Sequence, residues 1–147
     1  MAERAAVLIS IDAGAAEELQ NAILAGLYGY NDQFAGPMEN STLTIGARDA
    51  EKKIIGGLIV NLQPGWKWMH LQRLWVEQSH RRAGIGRLLV ETAEKEGRRR
   101  GCLHVSVDTF EFQAREFYEK LGYHVYGVME DYPVGHRKFL MRKTFPV

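Results

Sequence analysis

The sequence has one cysteine, Cys102, no long apolar run and almost no net charge. A single cysteine can form neither an internal disulfide nor a cysteine-rich metal site. No apolar stretch approaches the roughly 18 residues of a membrane-spanning helix. The net charge of +1 excludes a generally basic nucleic-acid-binding protein and an acidic tail. The start, MAERAAVLISIDAG, lacks the cationic and apolar regions of a secretory signal. Together these absences predict a cytoplasmic protein with no membrane partner.

The length and the apolar periodicity predict one α+β domain over residues 1–147. A β-branched run from Val7 to Ile11 indicates a first strand, and the spacing of apolar residues indicates a helix from Ala15 to Tyr30. The whole order is β-α-β-β-β-α-β-α-β-β. After the first helix, strands are expected at 42–48, 53–62, 66–76, 103–107, 123–129 and 137–143, and helices at 84–100 and 110–121. The central β-α-β step has to be parallel, because a whole helix crosses between its strands.

The strand at 66–76 changes its apolar parity halfway along. Met69 and Leu71 share one parity, whereas Leu74 and Val76 share the other. A β-bulge near Gln72 would place all four side chains on one buried face.

The segment between Val76 and Leu89 resembles an anion-binding turn. A strand ends, a basic turn with Arg81 and Arg82 follows, and Gly84 and Gly86 open a helix. Free backbone N–H groups and the positive end of the helix dipole attract phosphate at such a place. The dinucleotide motif fails because Leu89 occupies its third glycine position, and the Gly-Lys-Ser/Thr ending of a P-loop is absent.

Two motifs resemble the GNAT superfamily of acetyl-CoA-dependent N-acetyltransferases. Residues 81–86, Arg-Arg-Ala-Gly-Ile-Gly, match its Arg/Gln-x-x-Gly-x-Gly/Ala signature. Residues 114–123, AREFYEKLGY, resemble its A-x-x-F-Y-x-K-x-G-[FY] segment. One position departs from the pattern: Glu111 stands where many relatives carry an Asn that contacts the cofactor.

The resemblance implies a mixed, mostly antiparallel central sheet with helices on both faces, and direct transfer of an acetyl group from acetyl-CoA to an amine. It implies a small-molecule or peptide amine as acceptor and a homodimer by analogy. The main chain at Leu74 and Val76 is expected to pair with the pantetheine amides. The pyrophosphate is expected on the turn and helix start formed by Arg81, Arg82, Ala83, Gly84, Ile85, Gly86 and Arg87.

The motif position of Tyr118 implies that its phenol protonates the departing CoA thiolate, because a phenol of pKa about 10 stays protonated at neutral pH. An acceptor amine of pKa about 10 has to lose a proton before it attacks. Glu77, directly after a strand, is the first candidate for that base. The alternatives are Asp108, His70, Glu130, His136 or a chain of water molecules.

Other readings stay open at this point. A non-catalytic acyl-CoA sensor would keep the same turn without turnover. Nucleic-acid binding through residues 98–100, Arg-Arg-Arg, is disfavoured, because cations at a helix end complement its dipole. No spacing of His, Cys and carboxylates predicts a metal site. Aromatic residues, among them Phe110 and Phe112, and the turn-rich segment 131–136 are candidates for an acceptor wall.

Overall fold

A computed structural model describes residues 6–147, which divide into one unit ending at Gly36 and a second from Pro37 to Val147. The first unit contains helix α1, Glu17–Ala35. The helix ends at Gly36, which has a φ of 71° and donates its N–H to the Asp32 carbonyl at 3.1 Å. The loop predicted from residue 31 therefore begins later, because polar residues 31–33 continue the helix.

The predicted strand from Val7 to Ile11 is wrong. These residues have no regular secondary structure and belong to none of the described ladders. β-branched side chains favour a strand only where the backbone finds a pairing partner, so the propensity of this run alone did not produce one.

The second unit is built on one six-stranded sheet in the order β1-β2-β3-β4-β6-β5. All neighbours are antiparallel except β3 and β4, which are parallel. The predicted α+β class with a mixed, mostly antiparallel sheet is confirmed. The elements are β1 Ser41–Arg48, β2 Ile54–Gln63, β3 Trp68–Val76, α2 Ile85–Arg99, β4 His104–Phe110, α3 Arg115–Lys120, β5 His124–Glu130 and β6 Arg137–Thr144.

Helices α2 and α3 lie on the same face of this sheet. The register places on that face the buried side chains Leu58, Val60, Leu62, Met69, Leu71, Val105, Val107, Phe139 and Met141. Leu89, Val90 and Ala93 of α2 join this core, and the α3 residue Arg115 lies over the Phe139 ring. A helix on the other face stays a prediction.

The predicted bulge at Gln72 is confirmed. Ile59 pairs with Arg73 and the next β2 residue, Val60, pairs with Leu71, so Gln72 is left without a cross-strand partner. The extra residue shifts the parity of β3, and both Leu71 and Leu74 pack against the core.

Helix α3 is shorter than the 110–121 span that the spacing predicted. Residues 111–114 form turns, because side chains take over backbone donors at both ends of this segment. The Phe110 N–H donates to Gln113 Oε1 at 3.1 Å, and the Ala114 N–H donates to Thr109 Oγ1 at 3.2 Å. Phe110 consequently ends β4 instead of starting a helix.

A buried ion pair ties α2 to the end of β6. Lys143 Nζ donates to both oxygens of Glu94, at 3.0 and 2.9 Å. Beside it lies the buried and unpartnered hydroxyl of Tyr123, whose pKa is raised by burial and by the Glu94 charge. Loss of Glu94 or Lys143 would destabilise the fold, because the remaining charge would stay partly buried.

We expect Glu94→Ala to destabilise the fold by about 2–3 kcal/mol, less than the full cost of a buried charge because Lys143 keeps some solvent contact. The measurement is urea unfolding. Glu91, one turn earlier in an exposed pair with Arg87, is the matched control, and Glu91→Ala should cost at most about 1 kcal/mol. Equal effects of the two substitutions would show that the Glu94–Lys143 pair matters no more to stability than an exposed pair. The double variant Glu94→Leu/Lys143→Met should recover stability, because it leaves no buried charge unpaired.

Candidate active site

The sheet opens between β3 and β4. Their parallel ladder joins residues 68–71 to residues 104–107 and stops there. Beyond it β3 continues to Val76 paired with β2 alone, and β4 continues to Phe110 paired with β6 alone. The two strand ends therefore leave a gap whose facing main-chain groups lack a neighbouring strand.

The register shows which groups face this gap. The Glu77 N–H donates to the Ile55 carbonyl at 2.7 Å. Because hydrogen-bonding pairs alternate along an antiparallel ladder, Trp75 also points its main-chain groups at β2. Leu74 and Val76 then point theirs into the gap. The Val76 carbonyl is already occupied by Arg81 Nε at 3.1 Å, so the Val76 N–H and both groups of Leu74 are available to an extended ligand.

The turn before α2 presents a second set of free donors. The amides of residues 83–87 have no partner within the described chain, and the first bond at this end runs from the Leu88 N–H to the Gly84 carbonyl at 3.1 Å. Arg82 and Gly84 have φ values of 66° and 80°. Left-handed residues in a turn aim successive N–H groups into one concavity that suits an anion. No acidic residue occupies the first helical turn.

The structure favours glycine at residues 84 and 86 for different reasons. A side chain at Gly84 would meet no atom within 4 Å, but the positive φ disfavours most residues there. A side chain at Gly86 would approach the Phe117 ring to 3.3 Å. Gly86 thus allows α2 to pack against α3, a role the sequence did not reveal, whereas Gly84 shapes the open side of the turn.

The arginines predicted to bind the pyrophosphate make different hydrogen bonds within the chain. Arg81 folds back onto the Val76 carbonyl and thereby fixes the turn against the end of β3. Arg87 Nε pairs with Glu91 Oε1 at 2.7 Å, an exposed pair that contributes little to stability. Arg82 has no ion pair or side-chain hydrogen bond to a described residue, and the positive region around the free amides stays a prediction.

Tyr118 is the buried residue of α3 and belongs to the core. Its ring meets those of Phe117 and Tyr123 edge-on at 5.0 and 5.5 Å, and only 4% of the residue is exposed. Burial raises the pKa of Tyr118 to about 12. The hydroxyl makes no hydrogen bond to a described residue.

Glu77 lies where β3 ends, beside the turn. Its Oε1 accepts from Lys53 Nζ at 3.2 Å. Its Oε2 is buried, is 3.3 Å from His80 Nδ1 and has no hydrogen-bond partner. One carboxylate oxygen therefore pairs with Lys53, and the other is enclosed beside the His80 ring.

The alternative bases are spread over other elements. His70 Nδ1 and Ser106 Oγ lie 2.7 Å apart on the sheet face opposite α2, and burial lowers the pKa of this imidazole, with the nearby Asp108 opposing the shift. Asp108 pairs with Lys138 at 3.2 Å. His136 pairs with Glu111. Glu130 is the last residue of β5. These residues do not form one cluster with Glu77.

Glu111, at the position where relatives carry Asn, is held by the β5–β6 hairpin. Its Oε1 lies 2.9 Å from His136 Nδ1 and its Oε2 lies 3.5 Å from Arg137 Nε. The hydrogen bond from His136, followed by that from Arg137, lowers the pKa of the Glu111 carboxyl. In this structure the side chain anchors a loop. The sequence did not reveal that contact, because the two partners are 25 residues apart.

The arginine run at the end of α2 is engaged within the chain. Arg98 Nη2 donates to the Pro146 carbonyl at 3.0 Å, and Arg99 and Arg100 both bind Glu96. Hydrogen bonds from these two arginines lower the pKa of Glu96 to about 2. Among residues 6–147, no group of three or more His, Cys, Asp or Glu side chains is arranged to hold a metal. No helix in that range is long and apolar enough to cross a membrane.

Comparisons with known proteins agree with this geometry. The family model described as "Acetyltransferase (GNAT) family" matches residues 16–123. Blasticidin-S acetyltransferase of Streptomyces morookaense is 38% identical over 92 residues, which are 62% of this chain and 66% of that protein. An acetyltransferase of Agrobacterium fabrum is 30% identical over 87% of this chain and 92% of its own length.

A crystal structure of an acetyltransferase from Bacillus cereus superposes with a TM-score of 0.82, is 30% identical and covers 93% of this chain and 98% of its own. The open strand pair, the turn with free amides and these matches lead to one conclusion. The chain belongs to the GNAT family of acetyltransferases, and it is an acyltransferase that uses acetyl-CoA as cosubstrate.

Proposed function

We propose that this protein moves the acetyl group of acetyl-CoA to a primary amine of a small molecule or peptide by direct attack of the amine. The observation that carries the proposal is the pair of free donor sets at one place, the amides of residues 83–87 and the main-chain groups of Leu74 and Val76. The name of the Streptomyces relative supports a small-molecule acceptor.

The free amides of residues 83–87 would hold the pyrophosphate, since they lie at the positive end of α2. The Leu74 and Val76 main chain would pair with the pantetheine amides as an added strand does. A free N–H at this strand end would also bond the acetyl oxygen as negative charge develops on it. Bound acetyl-CoA supplies an activated thioester carbonyl for the attacking amine.

Tyr118 is proposed as the proton donor to the thiolate. Its raised pKa keeps the phenol protonated across the physiological range, so it would donate a hydrogen bond to the departing thiolate and would not act as a base. Its helix packs on Gly86 of the turn through the neighbouring Phe117, which supports this role.

Glu77 is proposed as the base, since it is the candidate carboxylate directly after β3 and beside the turn. We expect Glu77→Gln to lower kcat about tenfold, a modest effect because water can carry part of the proton transfer. Its acetyl-CoA affinity should be unchanged. His70→Gln is the matched control, measured in the same assay. A larger loss in the His70 variant than in the Glu77 variant would move the assignment to His70.

A thiol-release assay with a panel of polyamines, aminoglycosides, amino acids and peptides tests the proposed function, with calorimetric titration of acetyl-CoA in parallel. We expect amine-dependent release of CoA and tight binding of acetyl-CoA. Binding without release for any amine would support the acyl-CoA sensor instead. Binding of NADH with no response to acetyl-CoA would overturn both.

The same proposal includes the domain organisation, the cellular compartment and the oligomeric state. The family model runs across the boundary between the two units, which supports one domain over residues 1–147. The single cysteine, Cys102, is free and buried, as suits a reducing cytoplasm. The outer edge of β5 exposes Val128 and Met129 and supports a homodimer. Light scattering of the purified protein tests the dimer.

A further inference from the structure

Three aromatic rings from two distant segments lie nearly parallel beyond the end of β4. Phe110 ends that strand, Phe112 follows in the next turn, and Tyr132 belongs to the β5–β6 loop. The Phe110 and Phe112 centroids are 5.2 Å apart with planes at 6°, and the Phe110 and Tyr132 centroids are 6.0 Å apart with planes at 11°. This set of Phe110, Phe112 and Tyr132 is called the aromatic stack below.

The aromatic stack lies at the rim of the opening between β3 and β4. Phe110 comes three residues, or about 10 Å, after Val107, the last β4 residue that pairs with β3. Val107 and Thr109 face the helices α2 and α3. Strand alternation therefore puts Phe110 on the opposite face. An acceptor resting there would approach the opening from the side away from the anion-binding turn.

The two ends of the stack have different neighbours. Lys138 Nζ lies 4.6 Å from the Tyr132 centroid, and the same ammonium pairs with Asp108. His136 meets the Phe112 ring edge-on at 5.0 Å. Phe112 nevertheless remains 57% exposed, a large apolar surface that is held in place by its neighbours and left to water.

The charge around the stack is negative. The flanking residues 108–112 and 130–138 contain four carboxylates, Asp108, Glu111, Glu130 and Asp131, against two cations, Arg137 and Lys138. Asp108 is paired with Lys138, and Glu111 with His136 and Arg137, whereas Glu130 and Asp131 form no ion pair with a described residue. These two carboxylates favour a cationic ligand such as a protonated amine.

We propose that the acceptor is an amine that carries a planar ring, and that this ring stacks on Phe112 while the ammonium faces the carboxylates. The inference rests on the proposed acetyltransferase function and names the acceptor class of the same site. Stacking requires a flat π face, so the stack distinguishes planar from saturated rings. A generic apolar patch would prefer the more hydrophobic saturated ring.

The test compares 2-phenylethylamine with 2-cyclohexylethylamine, two amines of equal length. Calorimetric titration into the full-length protein with CoA present measures binding, and thiol release measures turnover. We expect the wild type to bind the planar amine about tenfold more tightly, and Phe112→Leu to remove that preference without changing acetyl-CoA affinity. Tyr126→Leu, which alters an exposed aromatic residue on β5, is the matched control and should keep it.

Equal binding of the two amines by the wild type, or a preference that survives Phe112→Leu, would overturn the inference. Failure of the proposed function is a separate result, because it would leave the binding preference intact while no amine released CoA. A preference lost in Tyr126→Leu but kept in Phe112→Leu would also overturn the inference and place the ring on β5.

Discussion

Gly84→Asp is expected to weaken acetyl-CoA binding by about 100-fold or more. One carboxylate within about 5 Å of a pyrophosphate costs roughly 3 kcal/mol at an effective dielectric constant near 20. The substitution leaves the packing intact, because a side chain at residue 84 would meet no atom within 4 Å. Aspartate also tolerates a positive φ better than most residues. Calorimetric titration with acetyl-CoA is the measurement.

Gly84→Asn is the matched control, since it has the shape of aspartate without its charge. We expect its affinity to fall less than tenfold, because only the local shape of the turn changes. The unfolding midpoints of both variants should stay close to that of the wild type. The carboxylate introduced by Gly84→Asp should not destabilise the fold, because it lies at the positive end of the α2 dipole. Equal loss in both variants would show that shape and not charge decides. Normal binding by Gly84→Asp would place the pyrophosphate elsewhere.

Gly86 is a poorer position for this experiment, although the sequence makes the two glycines look equivalent. Its missing side chain makes room for the Phe117 ring, which a side chain at residue 86 would approach to 3.3 Å, so a substitution there would disturb the packing of α2 against α3. Lost binding there would report damaged packing as readily as a displaced phosphate.

Features with a local cause could be predicted from the sequence. The turn at residues 81–87 follows from glycines placed between a strand and an amphipathic helix. The bulge at Gln72 follows from the parity change along one strand, and the structure confirms it. Both depend on residues within about ten positions of each other, where spacing determines geometry.

Features that depend on sheet order could not be predicted. β6 lies between β4 and β5, and this insertion brings Tyr132 to Phe110 and His136 to Glu111. Glu94 and Lys143 are 49 residues apart, and their pairing depends on α2 lying over β6. The strand predicted at Val7 to Ile11 failed for the related reason that propensity does not supply a partner strand.

Tyr118→Phe is expected to lower kcat about 100-fold while leaving acetyl-CoA affinity nearly unchanged, because the variant loses only a proton donor. The ring keeps its contacts with Phe117 and Tyr123, so the core remains filled. Since the pKa of Tyr118 is about 12, the wild-type kcat should show no descending alkaline limb from this group below about pH 10.

The same pKa gives an independent check that the phenol is buried as described. A group whose pKa is about 10 unfolded and about 12 folded contributes its full stabilisation below pH 10 and loses it as the pH rises through 12. The loss is roughly 2–3 kcal/mol, and Tyr118→Phe should lose correspondingly less stability over that range in urea unfolding. If kcat is unchanged while this alkaline difference is present, Tyr118 is a packing residue, and the thiolate takes its proton from water or from another donor.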